Sequence, residues 1–266
     1  MRIPQRIICL CPSITEALFE IGAGDRVVGV TDYCIHPRDR VEMLPKVGGS
    51  KLPDLEALFL LKPDLVIMNE EENRIEDYEE IEARGIPIVN TFPKKVMDTA
   101  PMMRVVGRAV GCESAAEKVA LEIESAVAAA ERSADSTVNG NTKLKTICLL
   151  WKNPFMTINR DTFMHDMIEL CGFDNLYSEK TERYPKITKE DFQTLKNERG
   201  LDCILLPNEP FEFVPQHATE ISAMAGLPTA RAVLCDGQYL TWYGSRTAAG
   251  IQYTLKLAAR VRAMQR

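Results

Sequence analysis

Histidine is scarce in this chain: only His36, His165 and His217 occur in 266 residues. No G-x-S-x-G, H-E-x-x-H or Walker-type glycine loop accompanies them. That removes the commonest hydrolase, metalloprotease and nucleotide-binding signatures. Gly22-x-Gly24 lacks a third glycine and falls at a helix end rather than a helix start, so it is not a dinucleotide loop. A basic excess is also missing. Lys and Arg number 32 against 38 Asp and Glu, a formal net charge of -6. Binding to a phosphate backbone needs the opposite balance, so nucleic acid is excluded as a partner. Nor does any apolar run approach the roughly 20 residues of a membrane-spanning helix.

Cysteine is present, but not as a scaffold. Most of the eight sit inside apolar runs such as IICLC, TICLL, LDCIL and AVLCD, where Cys packs as a small hydrophobe. Cys9 and Cys11 form a C-x-C pair with no second pair to complete a zinc site. The opening MRIPQRIICLCPS has too short an apolar stretch for a secretory signal and reads directly into a strand. Either the chain is cytoplasmic or an export segment has been removed from it; the many thiols favour the first.

What the chain does contain is alternation. Short β-branched runs at 6–10, 27–31, 64–68, 86–90, 146–150, 202–206 and 232–235 are separated by helical patterns. The spacing predicts an α/β fold with mainly parallel sheets. From about 98 to 132 the strand signal fades; Gly107 and Gly111 interrupt the first part, and Glu113 to Arg132 reads as one helix. A polar loop, Ser133 to Thr142, follows. The expected organisation is an α/β lobe over 1–97, a connecting helical backbone over 98–133, and a second α/β lobe over 144–266. Matching punctuation in the two lobes suggests one unit used twice. Ile21-Gly22 pairs with Cys171-Gly172, and Asp54-Leu55-Glu56 pairs with Thr188-Lys189-Glu190.

Candidate site residues follow from position. Ser13-Ile14-Thr15-Glu16 reads as a capping box, with Ser13 opening a helix just past the first strand. Ligands of open α/β sheets collect at the carboxyl ends of strands. Tyr33, Cys34 and His36 lie just past the second strand, and all three residue types can ligate a transition metal; His36 is the candidate metal ligand. Trp151 and Trp242, with Tyr243 beside it, fall in expected strand-exit loops of the second lobe, and Tyr184 lies in a loop before Pro185; large rings on loops commonly line a ligand site. The acidic run Glu70-Glu71-Glu72 reads as a solvated loop and helix start. A divalent-ion carrier using the three histidines with carboxylates is a further reading of the same residues.

RIICLCPSITEALFEIGAGDRVVGVTDYCIHP and then LPKVGGSKLPDLEALFLLKPDLVIMNEEEN carry a resemblance. They are similar to the cobalamin and ferric-siderophore binding proteins of ABC importers, and to the vitamin B12-binding branch in particular. The resemblance covers nearly the whole chain, more loosely in the second lobe. It implies two α/β lobes joined by one long helix, with a ligand cleft between the lobes. It implies non-catalytic binding of cobalamin or a related metal chelate (a corrinoid, haem or ferric siderophore), with no permanent cofactor. It implies an exported protein that serves an ABC permease dimer. Tyr33, Tyr184 and Trp242 fall on or near ligand contacts, and Ser50 stands where the familiar cobalamin receptor carries an aromatic. Glu56 and Glu190 fall on the permease-docking positions, one per lobe; both are read as exposed helix-start residues away from the strand-exit loops. The alternative is a cytoplasmic corrinoid- or metal-handling enzyme on the same fold, with a reactive Cys34 or His36.

Overall fold

A computed structural model describes residues 2–135 and 142–264. Within them the chain forms two compact units. Unit 1 takes in 1–93, 97–124 and 243–246; unit 2 takes in 94–96, 125–242 and 247–266.

Unit 1 is built on strands β1 (Ile7–Cys9), β2 (Val27–Val30), β3 (Leu65–Asn69) and β4 (Ile88–Thr91) in the order β2-β1-β3-β4, all parallel. Every residue of β1 and β3 is buried, as a sheet covered on both faces requires. Ile8, Leu10, Val66 and Met68 pack with Leu58 and Ile81 into one core cluster. Burying each such side chain stabilises the fold by roughly 1.5–3 kcal/mol. The crossovers carry helices α1 (Pro12–Glu20), α2 (Arg38–Val41), α3 (Leu55–Leu60) and α4 (Ile75–Ala83). Helix α5 (Thr99–Val110) ends on Gly111 in the left-handed conformation at φ 68°, and α6 (Glu113–Asp135) runs unbroken, as its composition implies. Gly107 does not interrupt α5. A Cβ there would stand 2.2 Å from that of Ala116, so this glycine allows α5 and α6 to approach closely. Arg104 then bridges the two helices, reaching Glu117 at 2.7 and 2.9 Å and Glu124 at 2.6 Å.

Unit 2 repeats the topology. Strands β5 (Leu144–Cys148), β7 (Phe173–Asn175), β9 (Cys203–Pro207) and β10 (Ala232–Cys235) form a parallel sheet in the order β10-β9-β5-β7. Counted in chain order within each unit, both sheets read 2-1-3-4, as a repeated unit demands. A two-stranded antiparallel ribbon, β6 (Phe155–Met156) with β8 (Lys186–Ile187), is added. Helices α7 (Phe163–Leu170), α8 (Lys189–Asn197), α9 (Pro215–Ala225), α10 (Gln238–Thr241) and α11 (Thr247–Ala263) complete it. All seven expected strands are present; β7 and the ribbon were not expected. The loop expected over Ser133 to Thr142 falls mainly on 136–141, outside the described residues. Among the described residues no helix is long and apolar enough to cross a membrane.

His165 on α7 adds a pH-dependent element. Its Nδ1 lies 3.2 Å from the amide nitrogen of Asn175, which also donates to the Ile158 carbonyl at 3.0 Å, while the Asn175 oxygen accepts from Tyr177. The amide orientation is thereby fixed, and Nδ1 must accept. Burial holds this imidazole below its ordinary value of 6.5, against the raising pull of Glu169 and Asp166. As pH falls below 6.5 the unfolded chain takes up a proton that the folded chain resists, so stability present at neutral pH is lost. Between pH 7.5 and 5.5 the urea midpoint of the parent should fall further than that of His165→Gln. Equal falls would show that this imidazole does not contribute.

Candidate functional site

The carboxyl edge of the unit 1 sheet is where Tyr33 and His36 lie. Past β2, Cys34 turns inward, its thiol 3.2 Å from the Thr15 hydroxyl and 3.3 Å from that of Thr31. This anchor leaves its neighbours outside: Tyr33 is 64% exposed, and Ile35 is exposed beside it. A Cβ on Gly49 would touch the Tyr33 ring at 3.4 Å, so the ring lies along the 48–53 loop. His36 follows, half-buried. Burial raises the Cys34 thiol above its ordinary range despite both hydroxyls. A buried thiol that resists ionisation is a poor nucleophile. This argues against the reactive Cys34 of the enzyme reading.

The capping-box expectation at Ser13 is not met. Helix α1 begins two residues earlier than a Ser13 cap requires, at Pro12, with Cys11 as its cap residue and no side-chain cap bond. Proline at the first helical position needs no N–H partner, which displaces the start. Ser13 is buried, with its hydroxyl 3.4 Å from the Cys11 sulfur. Glu16 instead holds Arg246 through two bonds, at 2.8 and 2.5 Å. Tyr243 is also buried, its hydroxyl 3.6 Å from the same Cys11 sulfur. Burial, aided by the Glu72 charge, pushes the Cys11 thiol up to about 12, and burial raises the Tyr243 phenol as well.

Sequence reasoning missed the clamp that shapes this edge. Asn73 is buried and donates to the carbonyls of Leu10 (3.1 Å) and Ser50 (3.0 Å), while its own oxygen accepts from the Asn69 backbone (2.8 Å). Asn69 in turn bonds the Thr91 carbonyl and hydroxyl, and accepts from the Glu71 backbone. The acidic run is therefore a tight turn between two buried asparagines. It is not a helix start; α4 begins only at Ile75. Two asparagines four apart immediately after an all-apolar strand were the available signal, since Asn side chains close turns on their own backbone.

In unit 2, Trp151 stands 42% exposed past β5, edge-on to Phe211 at 5.5 Å. Tyr184 is half-buried, with the Arg183 guanidinium 5.8 Å from its ring centre. Arg183 and Lys94 both hold Asp161, at 2.8 and 3.0 Å, and keep its carboxyl below the usual range, Lys94 contributing most. Trp242 is buried at 9% exposure, so it is not an open loop ring. His217 accepts the Val214 N–H through Nδ1 at 3.2 Å. With His165 engaged at Asn175, the three-histidine ion carrier fails: among the described residues no group of three His, Cys, Asp or Glu side chains is placed to hold a metal ion.

Glu56 and Glu190 occupy equivalent places, the second residue of α3 and of α8. Neither helix needs them as caps. Asp54 accepts from Ala57 in one, and Thr188 with Asp191 forms a capping box in the other. The Glu56 side chain is 84% exposed, with Arg84 at 3.8 Å. One expectation changes. A crossover helix in a parallel sheet starts at the end where strands finish, so both glutamates sit at the strand-exit end of their units, in the helix layer.

A profile of the periplasmic binding protein family matches residues 7–200. A vitamin B12-binding protein of Pectobacterium atrosepticum is 25% identical over 189 residues, covering 71% of this chain and 67% of the relative. Among solved structures, a periplasmic vitamin B12-binding protein of Vibrio cholerae superposes with a TM-score of 0.80 at 19% identity, covering 97% of this chain and 98% of its own. A periplasmic haem-binding protein of Roseiflexus sp. RS-1 does so with 0.83 at 24%, covering 98% and 99%. The chain belongs to the periplasmic binding protein family. Membership in that family makes it a binding protein rather than an enzyme.

Proposed function

We propose that this protein binds a metal-centred macrocyclic chelate, of the cobalamin or haem kind, without altering it, and delivers it to an ABC permease dimer. The observation that carries the reading is an exposed aromatic ring held past the strand ends of each sheet: Tyr33 in unit 1 and Trp151 in unit 2. Rigid rings on preformed loops suit a large, flat, partly apolar ligand. The relatives support the class, since those named above bind vitamin B12 or haem. In this reading Tyr33, Trp151 and Tyr184 contact the ligand, and His36 offers an imidazole to its metal. Ser13 and Tyr243 in unit 1 and Trp242 in unit 2 are buried, and in this reading each supports its own loop from within.

Titration with hemin, cyanocobalamin, dicyanocobinamide and a ferric trihydroxamate, followed by visible absorbance, tests this. Saturable binding of at least one macrocycle at micromolar concentration or below is expected, with the ligand recovered unchanged. Absence of saturation below millimolar for every one would end the reading. Chemical conversion of the ligand that is lost in His36→Ala would establish an enzyme instead.

A further inference from the structure

The loop past β9 contains a group of rings that the family likeness does not assign. Phe211 is half-buried between Trp151 at 5.5 Å and His217 at 5.4 Å. Phe213, 4.8 Å from Phe211, is buried in the unit 2 core and anchors the group from below. Trp151 and Phe211 leave β5 and β9, which are adjacent in the sheet, so both rings arrive at the same carboxyl edge. Helix α9 supports both loops. Its Glu220 pairs with Lys152 at 2.5 Å, next to Trp151, and its His217 packs on Phe211.

We propose that Trp151 and Phe211, whose planes stand 68° apart, form a preformed aromatic shelf that takes the macrocycle with one ring against its flat face and the other against its rim, with His217 as the positioning residue that holds Phe211 in place. The proposal rests on the chelate-binding reading above. His217 cannot also be a metal ligand here. Its Nδ1 accepts the Val214 N–H at 3.2 Å, so the neutral ring carries its proton on Nε2. Ligation through Nε2 would leave an imidazolate or break the cap that closes the loop. The ring acts as an acceptor at the third position of α9, where a Glu or Gln commonly serves. Two ring side chains fixed before binding lose little rotamer freedom on contact, which is why aromatic shelves bind well for their area.

The test uses the whole chain with hemin and cyanocobalamin as probes and a ferric trihydroxamate, which lacks a macrocyclic plane, as control. Phe211→Ala should weaken macrocycle binding about tenfold, the loss expected for a large aromatic contact. Trp151→Ala, which removes an exposed ring and so spares the core, should do likewise. His217→Gln keeps the acceptor and should stay within about threefold of the parent, while His217→Phe keeps a ring without the acceptor and should resemble Phe211→Ala. The metal-centred absorbance bands should be unchanged in His217→Gln. If the parent binds a macrocycle and both Phe211→Ala and Trp151→Ala bind it within twofold, the shelf is wrong and the chelate reading stands. Shifted metal bands in His217→Gln would make His217 a ligand and overturn its positioning role. Equal losses for the trihydroxamate would show a contact that does not depend on the macrocyclic plane. A parent that binds no macrocycle removes both readings.

Discussion

Asn73→Ala should be the most destabilising polar substitution in unit 1, at about 3 kcal/mol, because it breaks three buried hydrogen bonds at once. A buried donor or acceptor left without its partner costs roughly 1–3 kcal/mol, and here the Leu10 and Ser50 carbonyls and the Asn69 N–H all lose theirs. For a chain of this size about 3 kcal/mol corresponds to a fall in Tm of roughly 6–12 °C. Asn73→Asp makes the sharper comparison. It is nearly isosteric and keeps the acceptor for Asn69, but it turns a carboxylate oxygen toward two carbonyl oxygens. It should melt as low as the alanine variant or lower. A variant within 1 °C of the parent would show that the three loops hold their places without the clamp. The consequence reaches function, since the same bonds fix the 48–53 loop along which the Tyr33 ring lies.

The clamp also marks where sequence reading stopped. The strands were legible because buried parallel strands are nearly continuous apolar runs, and IICLC and LVIM announce themselves. Helix α6 was legible from its alanines and glutamates. Ser13 misled because S-x-x-E is a good capping signature, yet Pro12 one residue earlier is a better first helical residue. Gly107 reads as a helix breaker by propensity, which does not register a second helix packed against it; only contact with Ala116 gives the glycine its purpose. The exposure of Tyr33 and Trp151 past strand ends agrees with their place after apolar runs in the sequence. Phe211 and His217 were not singled out as a pair, since a P-x-x-A helix start does not reveal that its imidazole turns back onto the loop before it. Trp242 and Tyr243 stand out by residue type and by their place after an apolar run, and neither signal separates an exposed ring from a buried one.

If the proposed delivery to a permease dimer holds, replacing Glu56 and Glu190 together should impair it while leaving ligand affinity within error of the parent. Both carboxylates stand second in their helices, and in each case the capping is done by other side chains: Asp54 in α3, Thr188 and Asp191 in α8. Their removal therefore leaves the caps intact, and little folding energy is at stake. Carboxylates placed alike on two copies of one α/β unit suit a two-fold permease with paired basic pockets. Losing an exposed ion pair at a rim weakens association roughly fivefold, so the double variant should lose about twenty-five-fold, and the salt dependence of docking should flatten. Arg84 gives a second handle. It sits 3.8 Å from Glu56, with its guanidinium stacked over Phe59 at 3.8 Å, and competes for the carboxylate a partner would need. Arg84→Gln should therefore strengthen docking slightly where Glu56→Ala weakens it. Binding to permease in lipid nanodiscs, measured for the parent, the Glu56→Ala, Glu190→Ala double variant and Arg84→Gln at two ionic strengths, decides the matter. Unchanged docking in the double variant would reduce both glutamates to helix-dipole partners, and a loss of chelate affinity would place them in the ligand contact itself.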